Sequence, residues 1–311
     1  MRNIIIDCDP GHDDAIAILM ALAHRDKLNI RGITTVGGNQ TLEKITDNAL
    51  KILSFLNEDI KVARGAEGPL LRELRTGAEA HGESGMDGPI LPEARFDAVK
   101  ENAIEFMAKI IKESSEPITL VPLGPLTNIA LLLKSYPELK ENIEYISLMG
   151  GACYGGNVTP CAEFNIYVDP EAAKIVFNSG IPIAMSGLDV THRAQIFDDE
   201  IAKLKGLGSV SQMVAQLLDF YSIASKGFGF EGSPLHDPCA VAWLLRPEIF
   251  TAKKCHVDIE THGELTRGMT VVDCTVKDSR KANTEVLFDV NREAFVNMLF
   301  EALKKLDSRI D

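Results

Sequence analysis

Short apolar runs rich in isoleucine and valine alternate with stretches of helical periodicity along most of the chain. A run of about four to eight apolar, β-branched residues between turn formers reads as a strand buried on both faces, and apolar positions spaced three and four apart read as a helix. On this basis residues 3–8 form a buried strand. Residues 13–24 form a helix whose first turn holds Asp13 and Asp14, acids that suit the positive end of the helix. A strand at 30–36, a helix at 41–56 capped by Gln40 or Thr41, and a short strand at 60–63 follow. Residues 64–95 are irregular and carry turn formers, among them Gly77, Gly82, Gly85 and Gly88. Helix is then expected at 98–114, strand at 118–122, helix at 126–134, strand at 143–149, helix at 170–179 and strand at 183–186.

The last third changes character. A helix at 211–225 leads to a glycine-rich loop and a helix at 238–245. Strand-like runs follow at 256–261, 269–274 and 285–290, with a closing helix at 292–306. The pattern predicts an α/β fold: a single open, mostly parallel sheet with helices on both faces and antiparallel additions toward the C-terminus. No repeat, low-complexity tract or linker divides the sequence, so residues 1–311 are expected to form one domain.

Composition narrows the partners. The 311 residues include 45 acids against 32 Lys and Arg, a formal charge of −13. Nucleic acid and anionic membranes call for a basic surface, so neither is expected as a partner. The longest apolar run, residues 15–23, is far shorter than the roughly 18 residues of a spanning helix. The N-terminus enters a strand at once, without the regions of a signal peptide. Six cysteines (Cys8, Cys153, Cys161, Cys239, Cys255 and Cys274) are scattered without metal-ligand spacing, as in the reduced core of a cytoplasmic enzyme.

In an open parallel sheet, ligands bind beyond the carboxyl ends of the strands. Four such ends here carry glycine turns with acids, amides or carbonyls: Asp7-Cys8-Asp9-Pro10-Gly11-His12-Asp13-Asp14, Gly37-Gly38-Asn39, Leu123-Gly124-Pro125-Leu126-Thr127-Asn128, and Met149-Gly150-Gly151 leading to Asn157 and Glu163-Phe164-Asn165. Four aspartates within eight residues repel one another if all are ionised. A helix N-terminus offsets about 1–2 kcal/mol of that at most, whereas a hard divalent cation would resolve it. Asp13 and Asp14 also make sense as helix openers, but that leaves Asp7 and Asp9 unexplained. Asp237, before Pro238, has a sound local explanation as a helix cap, and His236 beside it as a surface histidine. His81 lies in a glycine-rich loop that could serve as a lid. Residues 227–232 satisfy G-x-G-x-x-G but follow a helix, so a dinucleotide reading fails.

Taken together, the acidic opening motif, Gly38-Asn39-Gln40-Thr41, Gly124-Pro125-Leu126-Thr127-Asn128, Met149-Gly150-Gly151, Asn157, Ala162-Glu163-Phe164-Asn165 and His236-Asp237 resemble the nucleoside hydrolases, the N-glycosidases that cleave ribonucleosides. The resemblance runs from about residue 3 to 306. It is greatest to the pyrimidine-preferring bacterial subgroup, through His81-Gly82-Glu83-Ser84-Gly85 and Pro234-Leu235-His236-Asp237-Pro238-Cys239. It implies hydrolysis of uridine and cytidine to free base and ribose by a calcium-bound water, in pyrimidine salvage, by a homo-oligomer (dimer or tetramer). Asp9, Asp14, Asp237 and the Leu123 carbonyl would hold the calcium ion, with Asp9 also the general base. Asp13 and Asn165 would bind the ribose 2′- and 3′-hydroxyls, and Asn157 and Glu163 the 5′-hydroxyl. Asn39 would sit by the attacking water, Met149 and Phe164 would line the sugar pocket, and His81 and His236 would approach the base.

One position departs from the subgroup pattern. Eight residues before His236, where pyrimidine-preferring relatives tend to carry tyrosine, this chain has Phe228, and the nearest phenol upstream is Tyr221. The chemistry agrees with the remaining roles. Cleavage of an N-ribosidic bond passes through an oxocarbenium-like cation that electron-rich oxygens stabilise. His236 is the best placed donor to the leaving base. The competing readings are a broad or inosine-preferring hydrolase, a magnesium-dependent phosphatase of the Asp-x-Asp type, and a non-enzymatic nucleoside-binding protein. The phosphatase type needs Thr or Val where Gly11 stands. On this view Asp7, Asp9, Asp13, Asp14, Glu163 and Asp237 share one pocket.

Overall fold

A computed structural model describes residues 1–275 and 281–311. Its strands are β1 (Arg2–Cys8), β2 (Leu28–Thr35), β3 (Val62–Arg64), β4 (Ile118–Pro122), β5 (Ile143–Met149), β6 (Ile183–Ser186), β7 (Gln195–Ile196), β8 (Ser233–Pro234), β9 (Phe250–Ile259), β10 (Thr270–Asp273) and β11 (Thr284–Val290). Its helices are α1 (His12–Ala23), α2 (Leu42–Phe55), α3 (Ala78–His81), α4 (Ala103–Glu113), α5 (Thr127–Ser135), α6 (Phe164–Val168), α7 (Pro170–Phe177), α8 (Leu188–Thr191), α9 (Asp198–Leu204), α10 (Ser209–Gly227), α11 (Pro238–Leu245) and α12 (Arg292–Ile310).

Nine strands form one sheet in the order β10-β9-β11-β6-β5-β4-β1-β2-β3, and β7 and β8 make a small antiparallel ribbon. From β3 to β11 every neighbouring pair is parallel. The antiparallel addition consists of β9 and β10, since β9 runs against β11 and β10 against β9. The final predicted strand, β11, is therefore itself part of the parallel set.

Alternating side chains of the central strands feed two cores. Ile4 and Ile6 of β1 face the core shared with α1, α2, α10, α11 and α12, while Ile5 faces the core of α4, α5 and α7. A strand covered on both faces needs no polar face, which is why β1 reads Ile-Ile-Ile. Helix α1 is buried along its whole length and packs against α11 and α12, matching its lack of a polar stripe.

Two element starts and four short helices differ from the periodic pattern. Residues 98–102 do not join α4: Val99 donates its N–H to the Val62 carbonyl at 2.8 Å, and Asn102 caps the helix by accepting the Glu105 N–H at 3.0 Å. Strand β9 starts at Phe250, six residues before the predicted run, because pairing with β11 extends it through polar Lys253 and Lys254. The short helices α3, α6, α8 and α9 were not expected, being too brief to show a period.

The chain passes from β1 to β2 and β3 on one side and then crosses to β4 on the other side of β1. The carboxyl ends of β1 and β4 thus flank a topological switch point, where α/β sheets open a crevice.

Candidate active site

That crevice is a cavity of about 530 Å³ whose walls include Asp13, Asn39, His81, Leu123, Met149 and Asn157. Glu163, Phe164, Asn165, Tyr221, Phe228, His236 and Asp237 complete the predicted residues on its surface. Asp9 and Asp14 lie directly beneath, both buried.

The Pro10-Gly11 turn aims the acids. Asp14 accepts the N–H of Gly11 at 3.0 Å and of Asp9 at 3.2 Å, closing the first turn of α1. Gly11 is required there because a Cβ would stand 2.4 Å from His81 Nδ1. Asn39, at the end of β2, reaches across: its N–H donates to Asp9 Oδ2 at 2.7 Å, and its Nδ2 to Asp9 O at 3.1 Å and Asp14 Oδ2 at 3.2 Å. Asp13 accepts the backbone N–H groups of His236 at 3.2 Å and Asp237 at 3.5 Å, joining α1 to the start of α11.

Asp237 does not cap α11. Pro238 occupies the first helical position as expected, but the Asp237 side chain makes no capping bond and points instead at Asp13 and Asp14. Carboxylate oxygens of these three lie within 4.8 Å of one another. Burial, then repulsion from Asp13, raises the pKa of Asp14 and Asp237; burial followed by repulsion from Asp14 does so for Asp9, and burial alone for Asp13. Such a set of hard oxygen donors, too crowded to ionise together unaided, fits a hard divalent cation. Asp9 stands beside this trio, held on Asn39.

Asp7 is a correction to the six-acid pocket. It lies within β1, where Thr34 Oγ1 at 2.5 Å and Asn128 Nδ2 at 2.8 Å both donate to its Oδ1. Its other oxygen has no partner among the described residues, and burial pushes its pKa up to about 7. It braces the ends of β2 and α5 rather than facing the cavity.

Glu163 caps α6. Its Oε1 accepts the N–H of Asn165 at 2.9 Å, and its Oε2 those of Gly151 at 2.8 Å and Ile166 at 3.2 Å. Asn157 Oδ1 accepts the Phe164 N–H at 2.9 Å, which leaves its NH₂ group for a ligand. Asn165 Nδ2 donates to the carbonyls of Leu123 at 2.7 Å and Met149 at 3.2 Å, so its amide oxygen faces the cavity side.

An aromatic cluster forms the opposite wall. His12, buried, stacks on His81, Phe220 and Tyr221 with ring centres 5.3–5.5 Å apart. His236 Nδ1 is 2.8 Å from Thr191 Oγ1. Burial pushes His12 and His236 down to about 4, and burial followed by the neighbouring His12 holds His81 well below the usual imidazole range, so these rings are neutral at pH 7. Phe228, at the end of α10, is 64% exposed and sits at the cavity rim, while Tyr221 is buried in the wall. Sequence reasoning missed His12, Thr191, His192 and Phe230. His192 follows the carboxyl end of β6, the one central strand end left unread; His12 stood unassigned inside the acidic motif.

Fold and site define an α/β enzyme with an acid- and amide-lined pocket at a switch point, suited to a small polyhydroxylated molecule and a hard cation. Residues 4–297 match the inosine-uridine preferring nucleoside hydrolase family. The chain belongs to that family and is an enzyme, an N-glycosidase acting on ribonucleosides. It is 57% identical over 306 residues to the pyrimidine-specific ribonucleoside hydrolase RihA of Photobacterium profundum, covering 97% of this chain and 98% of that protein. Identity to the protein of the same description from Shewanella baltica is 56% over 310 residues, or 98% and 97% of the two chains. Among solved structures, the purine-preferring ribonucleoside hydrolase from Gardnerella vaginalis superposes with a TM-score of 0.92 at 33% identity, covering 98% of this chain and 99% of that one. An inosine-guanosine nucleoside hydrolase gives 0.89 at 30%, covering 97% and 98%.

Proposed function

We propose that this chain hydrolyses the N-glycosidic bond of pyrimidine ribonucleosides, uridine and cytidine, to free base and ribose. The carrying observation is full-length identity of 57% and 56% to relatives named pyrimidine-specific, against 33% to a purine-preferring one. Asp9, Asp14, Asp237 and the Leu123 carbonyl would hold a calcium ion, with Asp13 beside them. When bound, that ion supplies charge that acidifies and orients water and templates the ribose diol.

Asp13 and the Asn165 amide oxygen engage the 2′- and 3′-hydroxyls, while Asn157 and Glu163 engage the 5′-hydroxyl. Asp9, steadied by the Asn39 N–H, takes a proton from the attacking water as its oxygen bonds to C1′. The bond from C1′ to the base nitrogen breaks, and its electron pair leaves with the base. The bond to the base loosens ahead of the attack, and the surrounding carboxylates and carbonyls stabilise the ribosyl cation that develops before the water oxygen closes on C1′. With the Thr191 hydroxyl donating to Nδ1, the neutral His236 carries its proton on Nε2 and hydrogen-bonds the departing base, which takes its own proton from solvent. The enzyme acts in pyrimidine salvage in the cytoplasm as a homo-oligomer.

Release of the free sugar from uridine, cytidine, inosine, adenosine and 2′-deoxyuridine tests this reading. Uridine and cytidine should be best. The deoxynucleoside should be slower by about 10²-fold or more, because ribose contacts are spent on the transition state. Asp9→Asn should lower kcat by on the order of 10²–10⁴-fold. Inosine as the best substrate, or an active Asp9→Asn enzyme, sinks the reading.

A further inference from the structure

His192 lies on the cavity wall and takes no part in the hydrolytic steps proposed for Asp9 and His236. It follows α8, and its main chain is tied at both ends: its N–H donates to the Leu188 carbonyl at 3.1 Å, and its carbonyl accepts Gln195 Nε2 at 2.7 Å. Gln195 Oε1 in turn accepts the Gly232 N–H at 2.8 Å, and β7 pairs with β8 just before His236. His192, Phe230 and His236 are therefore fixed as one block.

Ring contacts fix the side chain as well. Phe230 meets it edge to face at 4.8 Å and His236 at 5.7 Å. Yet neither ring nitrogen of His192 has a hydrogen-bond partner among the described residues. The half-buried ring therefore presents an uncommitted polar edge on the cavity wall, which a bound ligand can engage. Thr191 meanwhile orients His236, so one dipeptide serves both histidines.

We propose that His192 is a base-recognising residue, its imidazole hydrogen-bonding the carbonyl and N–H edge of the pyrimidine. The inference rests on the proposed pyrimidine ribonucleoside hydrolysis. Burial, then the neighbouring His236, pushes the His192 pKa down to about 4. At neutral pH it thus carries one N–H donor and one lone pair. Uracil and cytosine both present the C2 carbonyl, but at N3 one donates and the other accepts. A neutral imidazole meets either pattern by changing tautomer, so one residue serves both bases.

The test compares uridine and cytidine with p-nitrophenyl ribofuranoside, which keeps the sugar but has no pyrimidine edge. His192→Phe keeps the ring packing and removes the nitrogens. It should lower kcat/KM for uridine and cytidine about ten-fold, chiefly through KM, as loss of one neutral hydrogen bond does. The loss on the nitrophenyl riboside should be several times smaller. His192→Asn should recover part of the pyrimidine loss, and it carries the same comparison if the phenylalanine variant fails to fold. Equal losses on all three substrates, or none on any, overturn the role of His192. Wild-type preference for inosine overturns the pyrimidine reading instead, so the two failures are distinct.

Discussion

Asp9 sits between two glycines that leave no room for a methyl group. A Cβ on Gly38 would stand 2.0 Å from Asp9 Oδ2, and one on Gly124 would stand 2.3 Å from Oδ1. Neither glycine has a positive φ, so space rather than backbone conformation fixes its identity. Gly124→Ala should therefore push the carboxylate off its Asn39 anchor. Misplacement by about 1 Å costs on the order of 10²-fold in rate, with a much smaller effect on thermal stability. Steady-state kinetics beside calorimetry checks this, and an alanine variant with unchanged kcat refutes it. The acids themselves were legible because their crowding has few bland explanations. The direction each one faces was not: Asp7, one strand position from the cavity, turns to Thr34 and Asn128, and Asp237 leaves its cap role for the acid cluster.

The long strands and helices were legible because each buries a face whose period shows in the sequence. Short helices such as α6 and α8 exist by tertiary consent instead. The Glu163 carboxylate accepts the N–H groups that start α6, while the Leu188 N–H and the Asp189 carboxylate tie α8 to the loop at Gly151–Tyr154. The wall helix α10 is held in the same way from a distance. Asp307 of α12 accepts the N–H groups of Val210 at 2.8 Å and Ser211 at 3.1 Å, and the Ser211 hydroxyl at 2.5 Å. It thus caps a helix that carries Tyr221 and reaches Phe228 at the cavity rim. Asp307→Ala strands these buried donors and should cost about 2 kcal/mol, lowering Tm by roughly 4 °C for a chain of this size. Cleavage of uridine at 25 °C should survive, since the cap lies at the far end of α10. A Tm within 1 °C of the wild type would falsify the capping role.

Across the whole molecule the acid excess has two parts, a solvated exterior and a buried set at the switch point of the sheet. No helix among the described residues is long and apolar enough to cross a membrane, and a neutral nucleoside needs no charge steering. The buried set makes stability depend jointly on cation and pH. Without a cation, Asp9, Asp13, Asp14 and Asp237 have folded-state pKa values raised above the unfolded ones. For these groups protonation favours the folded state, so the chelated protein gains stability from them as pH falls and loses it as pH rises through their folded values. A bound cation holds the same carboxylates ionised, so its grip weakens as protons compete. The gap in Tm between calcium-loaded and chelated protein should be widest near pH 8 and close toward pH 5. At pH 8 and calcium about 100-fold above its Kd, the gap corresponds to about 2.7 kcal/mol. Chelation should abolish ribose release, and added calcium should restore it. Scanning calorimetry of both forms at pH 8, 6.5 and 5 decides the point: a gap that is constant or widens on acidification means these carboxylates do not form the cation site.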